Sequence, residues 1–401
     1  MPTIKDLKVH IVTGEIKNPF FGAQGWVRVR SSLIVEIITS CEDIIGIGEC
    51  LCHGYQPPQL AASFIENCYR SAVIGKSIFD VEVIWETLYN MSRTFGQYGI
   101  AINAISGIDM AIWDAIGKYL NQPVCNLIGG CFRDRVKAYA TGFYRIEGAV
   151  YPDDAVKEAV GYVNKGFTGM KVKIGMGVQK DIEHIRAIRE AVGPDIMLGA
   201  DANCAYNVST AVQLIDGLKD YNLYFLEEPL APEDMRGYMQ LRFMTPTMIT
   251  AGENMFGKIA LREWISNGAL DIYQPDLGHA GGFTELKKIA ALTQAYQTLL
   301  MPHVWGSGVL LAATLQFLAT LPPVPMTSFP WEPMIEFDQS EHPFRFELIN
   351  NGIEFKDGHL IVPKKPGIGV EINRDVLKKF KINLAQECKM GNTEQYLLMF
   401  R

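Results

Sequence analysis

The sequence predicts a closed (β/α) barrel of the TIM type, modified and of seven to eight units, together with an α+β capping domain. Three observations lead there. Short apolar runs between Met170 and Pro302 end on Lys173, Asp201, Glu227, Glu253 and Asp276, and the last is closed by His303. Successive ends are 28, 26, 26, 23 and 27 residues apart, the length of one strand plus one helix. Helically spaced text fills the intervals, so a ring of such units gathers the six polar ends at one mouth.

Length and composition bound the rest. A chain of 401 residues exceeds one ordinary core. The expected division is a cap over residues 1–130, a barrel over 131–345 and a C-terminal segment over 346–401 that completes the cap. With 48% hydrophobic and 20% charged residues, the chain has an ordinary globular composition. A net charge of −7 without a long Lys/Arg run argues against a nucleic-acid partner. Eight scattered cysteines with no Cys-x-x-Cys pair predict neither a disulfide framework nor a zinc knuckle. The N-terminus lacks the apolar core of a signal peptide, and no apolar run approaches the roughly 20 residues that span a bilayer. The expectation is a cytoplasmic protein without a membrane partner.

In chain order, residues 3–50 alternate as an antiparallel meander. Between its first two strands, Asn18 to Gly25 carries Gly, Pro and paired Phe, which suits a mobile apolar flap more than a tight turn. A polar loop, His53-Gly54-Tyr55-Gln56-Pro57-Pro58, precedes helices near 57–75, 80–94 and 98–120. The third is dense in Ile and Ala and is predicted to be buried on most sides. Asn121-Gln122-Pro123 stops it. The first barrel strand is expected at 136–141. Helices follow at 155–165, 179–192, 208–221, 234–243, 258–267, 284–296 and 309–320, and an eighth strand at 326–331. An open doubly wound sheet fits the same alternation but needs a Gly-rich phosphate turn, and Gly175-Met176-Gly177 is half a match.

The strand ends carry the chemistry. Asp201, Glu227 and Glu253 give three carboxylates on consecutive strands, an oxygen-only set that suits one Mg²⁺ with positions left for substrate. Glu228 competes with Glu227, but strand alternation lets one of the two face the mouth; Glu227 is chosen, with Glu228 as its support. Lys171 and Lys173 share a strand face, where like charge and burial lower a lysine pKa and prepare a general base. Asp276 and His303 end successive strands, and an aspartate on one imidazole nitrogen strengthens the other as a base. Lysines on one side, a His–Asp dyad on the other and a divalent cation between them suit removal of a proton next to a carboxylate. Glu332 follows as a group that would donate to the far carboxylate oxygen if protonated. A metal-free Schiff-base aldolase using Lys171 or Lys173, or a non-catalytic barrel, are the rival classes.

These residues carry a resemblance over nearly the whole chain: it resembles the enolase superfamily, in the mandelate racemase subgroup. The resemblance implies Lys173, in Lys171-Val172-Lys173, as a base. It implies Asp201-Ala202-Asn203, Glu227-Glu228-Pro229 and Gly252-Glu253-Asn254 as the metal-ligand segments. It also implies His303 with Asp276 as the dyad and Glu332 as the electrophilic acid. The Asp276 position speaks against the muconate-lactonizing subgroup, which carries lysine there. Ala104 to Asp109, Pro302 to Gly306 and Glu332 to Asp338 further resemble sugar-lactone cycloisomerases and acid-sugar dehydratases. The implied activity is abstraction of the proton α to a carboxylate of a sugar acid or its lactone, followed by β-elimination, with racemisation less favoured. The implied partners are a small carboxylate substrate and further copies of the chain. Expected substrate contacts are Asn203, Asn254, Trp305, Phe20, His53 and Tyr55.

Overall fold

The computed structural model describes residues 1–385 except Tyr55, Met326 and Asn351. The meander is present as β1 (Ile4–Gly22), β2 (Gly25–Thr39) and β3 (Ile45–Cys50). β1 and β2 pair from Ile4↔Thr39 out to Gly22↔Gly25, with a register shift between Glu15 and Phe20. The expected flap is therefore the tip of a hairpin, closed by Ala23-Gln24, and not an irregular loop. Gly25, at φ 133°, supplies the backbone that such a turn needs.

Helices α1 (Pro58–Phe64) and α2 (Arg70–Val73) pack on the sheet, and α3 (Val81–Met91) packs on the long α4 (Ile100–Leu120). α4 approaches β3 so closely that a Cβ on Gly48 would lie 2.2 Å from the Gly107 carbonyl. Asn121 ends the helix in the left-handed region at φ 53°. Contrary to the sequence expectation, α4 has the length and apolarity of a membrane span, but 89% of that stretch is buried in the protein.

A short α5 (Val124–Leu127) leads to the barrel. Its sequence expectation needs one correction: Cys125 and Cys131 form a disulfide, because the turn through Gly129-Gly130 brings their Cα atoms to 5.9 Å.

The barrel strands are β4 (Arg135–Gly142), β6 (Gly169–Lys173), β7 (Met197–Asp201), β8 (Phe225–Glu227), β9 (Met248–Ala251), β10 (Ile272–Tyr273), β11 (Leu299–Leu300) and β12 (Ile335–Asp338). A two-residue strand, β5 (Arg145–Ile146), leaves the barrel to pair with the flap at Phe20↔Ile146 and Phe21↔Arg145. The eight barrel strands are all parallel, in the order β12-β4-β6-β7-β8-β9-β10-β11. Helices α6 (Asp153–Asn164), α7 (Val178–Val192), α8 (Val208–Leu218), α9 (Met235–Met244), α10 (Gly257–Ser266), α11 (Gly282–Ala295) and α12 (Gly308–Ala319) occupy the predicted intervals. The eighth strand is Ile335–Asp338 and not 326–331. Phe329 is 95% exposed, and Pro330, with Pro325 and Pro333 to either side, keeps residues 327–331 out of the barrel sheet.

The C-terminal stretch attaches at two places. Strands β13 (Phe355–Lys356) and β14 (His359–Ile361) form a hairpin whose second strand pairs with the start of β4. After α13 (Arg374–Phe380), β15 (Lys381–Ile382) adds an edge to β1. Two polar ties hold the cap over the barrel mouth. Glu49 on β3 accepts from Ser307 N, Ser307 Oγ and Leu310 N at 2.9, 2.6 and 3.0 Å, a carboxylate on the N-terminus of α12. Arg30 on β2 donates to the Trp305 carbonyl at 2.8 Å and to Asp338 at 3.1 Å, while its guanidinium lies 3.5 Å over the Trp305 ring.

Candidate active site

The C-terminal ends of the barrel strands converge under the flap and the His53 loop. Asp201, Glu227 and Glu253 are all buried, and each offers a carboxylate oxygen within 4.8 Å of the others. Among the described residues they are the grouping of three acids, cysteines or histidines that such closeness defines. Three hard oxygen donors with no sulfur or imidazole fit a small divalent cation such as Mg²⁺. Glu228 is turned away, at φ 41°, and receives the Asn254 amide at 2.8 Å.

The two lysines divide the carboxylates. Lys171 Nζ lies 2.6 Å from Glu227, 2.9 Å from Glu336 and 3.4 Å from Asp201, in complete burial. Lys173 Nζ lies 2.6 Å from Asp201 and 3.0 Å from Asn203 Oδ1. Burial alone would push both lysines down, but the carboxylates outweigh it and hold both above the ordinary lysine range. This reverses the expectation of lowered pKa values, which omitted the three acids from the balance. The same cations draw Asp201 below the usual carboxylate range against burial, while burial keeps Glu227 raised.

On β11's extension, His303 Nδ1 lies 2.7 Å from Asp276 Oδ2. Asp276 is fixed by the Gly278 amide at 2.7 Å. Burial disfavours the imidazolium, yet Glu253, Glu336 and Asp276 together raise His303 to about 10.

Glu332 is not in the site. Its side chain is 60% exposed and lies 3.9 Å from Arg133. The acid that reaches the mouth is Glu336, on the true eighth strand. It accepts from Thr141 Oγ1 at 2.7 Å and Val304 N at 3.1 Å. Burial raises it, but Lys171 and then His303 bring it down to about 2, so it is a carboxylate and not the protonated acid expected of Glu332.

Lys173, Asn203, Glu253, His303, Trp305 and His53 line one cavity of about 50 Å³. Gly22, Gln24 and Val27 of the flap hairpin, with Gly54 and Tyr144, close it. Phe20 stands one layer back, its ring 4.4 Å from Tyr144, and Asn254 is spent on Glu228; neither lines the cavity. Tyr55 lies outside the described residues. Sequence reasoning missed Tyr144, which follows the first strand end two residues after Gly142, and Gln274, which donates to Glu227 Oε2 at 2.7 Å. Tyr144 was findable by extending the strand-end series backwards to β4. Glu336 was findable because Ile335-Glu336-Phe337-Asp338 alternates as a strand, whereas Pro330 and Pro333 flank Glu332.

Comparison with known proteins agrees with this fold. Residues 6–129 match the mandelate racemase / muconate lactonizing enzyme N-terminal domain, and residues 154–376 match the enolase C-terminal domain-like family. The chain is 38% identical to D-galactarolactone cycloisomerase of Agrobacterium fabrum, covering 94% of this chain and 99% of that one. It is 31% identical to arabinonate dehydratase of Saccharolobus solfataricus, again over 94% and 99%. The crystal structure of 3,6-anhydro-D-galactonate cycloisomerase from Zobellia galactanivorans superposes with a TM-score of 0.85 at 33% identity, covering 95% of this chain and all of that one. The chain belongs to the mandelate racemase / muconate lactonizing enzyme family of the enolase superfamily. It is an enzyme of that superfamily, in the company of cycloisomerases and sugar-acid dehydratases.

Proposed function

We propose that this enzyme removes the proton α to the carboxylate of a sugar-acid lactone and opens the ring by β-elimination, with Mg²⁺ held by Asp201, Glu227 and Glu253. The α C–H bond breaks, its proton passes to Lys173 Nζ or His303 Nε2, and the electron pair moves into the carboxylate to give an enediolate. The pair then returns to form a C=C bond while the β C–O bond breaks, and the leaving ring oxygen departs as part of the carboxylate that the lactone carbonyl becomes, the α-proton passing from the base to solvent. Mg²⁺ bound to these acids would supply positive charge to the substrate carboxylate and offset the acids that keep Lys173 and His303 protonated, freeing one of them as the base. Lys171, held by three carboxylates, positions them and takes no proton. Asp276 fixes the His303 tautomer, leaving Nε2 toward the cavity. Glu336 orients Lys171 and the Val304 amide.

One observation carries this reading: two basic groups, Lys173 and His303, line the same cavity as the ligand Glu253. Gly22 and Gln24 at the flap tip and the His53-Gly54 loop line this cavity, so they are the parts of the cap that would meet a bound sugar acid. We read residues 1–130 and the segment from 346 as the cap that selects substrate over the 131–345 barrel. Assembly into a homo-oligomer belongs to the same reading, supported by Phe243 and Met244, which are 84% and 60% exposed. The identity to arabinonate dehydratase supports a second outcome, in which the leaving group is a β-hydroxyl lost as water. Turnover of a panel of aldonic and aldaric acids and their lactones, with Mg²⁺ present, tests the proposal. Ring opening of a lactone supports it, and turnover restricted to the open acids selects dehydration.

A further inference from the structure

A second cavity, of about 420 Å³, lies outside the barrel mouth, behind the flap. Its walls come from Phe21 of the flap, Arg145 and Tyr151 after β4, and Lys180, Glu183 and His184 on α7. His184 is 2% exposed, and neither of its ring nitrogens has a hydrogen-bond partner among the described residues. Native proteins rarely leave two buried polar atoms unsatisfied on one side chain. Burial and then the Arg145 charge hold this imidazole well below the usual range, to about 3, so it stays neutral with one donor and one acceptor.

Arg145 lies 4.0 Å over the Tyr151 ring. Stacking occupies the guanidinium face and leaves its N–H edges, the groups that match an oxyanion in a fork. Among the described residues neither Arg145 nor Lys180 has a carboxylate within ion-pair distance. Asp181, the nearby acid, is occupied by the Gly175 and Met176 amides at 2.8 and 3.1 Å and by the Tyr206 hydroxyl. Glu183 in the wall and Asp181, whose charge acts on Arg145, offset the two cations overall, so an anion here would be held by the N–H groups of Arg145, Lys180 and His184 and not by net charge.

We propose that this cavity binds a small oxyanion, carboxylate or phosphate, between Arg145 and Lys180, with the neutral His184 ring donating to it. Because Phe21 forms one wall and pairs with Arg145 across the flap strand, the occupant rests directly against the hairpin that closes the active site. The site does not depend on which sugar acid the enzyme turns over.

The test is calorimetric titration of inorganic phosphate and, separately, of malonate into the Mg²⁺-loaded full chain, comparing wild type with Arg145→Gln, Lys180→Gln and Lys173→Ala. The expected result is saturable binding in wild type and in Lys173→Ala, weakened at least tenfold in Arg145→Gln and severalfold in Lys180→Gln. Malonate stronger than phosphate would mark a carboxylate ligand, and the reverse a phosphate. Equal binding in wild type and both cavity variants, or loss of all binding in Lys173→Ala, would overturn the proposal by placing the anion in the active site or nowhere. Lys180 is exposed on the first turn of α7, so its variant reports even if Arg145→Gln fails to fold.

Discussion

His303 presents one nitrogen to Asp276 Oδ2 at 2.7 Å and the other to Glu253 Oε2 at 3.5 Å. One imidazole thus joins the proton-handling side of the site to the carboxylate set that fits a cation. Asp276, in the loop that follows β10, engages one nitrogen and leaves the other toward the cavity, where the proposed mechanism has it exchange protons with a substrate. The geometry ties base strength to the ligand set, and several outcomes follow from that link.

Replacing His303 by Asn should lower kcat by about 10²–10⁴-fold, the usual weight of a positioned acid–base group. Asp276→Asn should fall in the same range, because it permits the wrong tautomer while keeping the shape. Circular dichroism should report an unchanged fold in both. Steady-state turnover near wild type in either variant would remove the dyad from the mechanism.

Glu336 and Glu332 are separated by their surroundings. Glu336→Gln should lower activity by tens-fold or more and reduce Tm, since it loosens Lys171 and the Val304 amide. Glu332→Gln should stay within about 0.5 kcal/mol of wild type, as an exposed surface change does. A parallel assay of the two, with thermal melts, decides which acid belongs to the site.

Lys171 holds three buried carboxylates together. Lys171→Met should cost about 3–5 kcal/mol, the penalty for leaving buried charge uncompensated. Urea unfolding in chelator measures it, and added Mg²⁺ should recover part of the loss. A variant as stable as wild type without metal would mean that the acids do not depend on this lysine.

The amount of fold and site legible in the sequence differed by what each residue's neighbours contribute. Barrel helices and seven of the strands were readable because their periodicity is local. The eighth strand lies later than its sequence pattern predicts because Glu332 supplies a polar end at the regular spacing without belonging to a strand. A proline-flanked exposed glutamate and a strand-borne buried one look alike until pairing with β4 is seen. Asp201, Glu227, Glu253, Lys173 and His303 were readable as strand ends. Tyr144 is legible only when that series is extended back to β4, and Arg30 and Gln274 are not, because their roles arise from contacts between distant segments. The raised lysines show the same limit, since pKa depends on the sum of charges in three dimensions.

His53 offers a pH test independent of the ligand set. Burial, and then the charge of His303, hold it down to about 4, while the unfolded chain titrates near 6.5. Between those values the unfolded state binds the extra proton, so this group's contribution is present above about pH 6.5 and lost as pH falls toward 4. His53→Gln should therefore lose less stability than wild type over that window in urea titrations. Parallel pH profiles for the two proteins would contradict the burial of a neutral His53.

The most direct test of the central claim is exchange of the substrate α-proton in D₂O, followed by NMR or mass spectrometry, for wild type, Lys173→Ala and His303→Asn. Wild type should place deuterium at the α-carbon only with Mg²⁺ present, and chelator should stop it. Each variant should lose exchange or turnover while keeping its fold. Full activity of both variants, or metal-independent turnover with a lysine trapped by borohydride, would contradict the account.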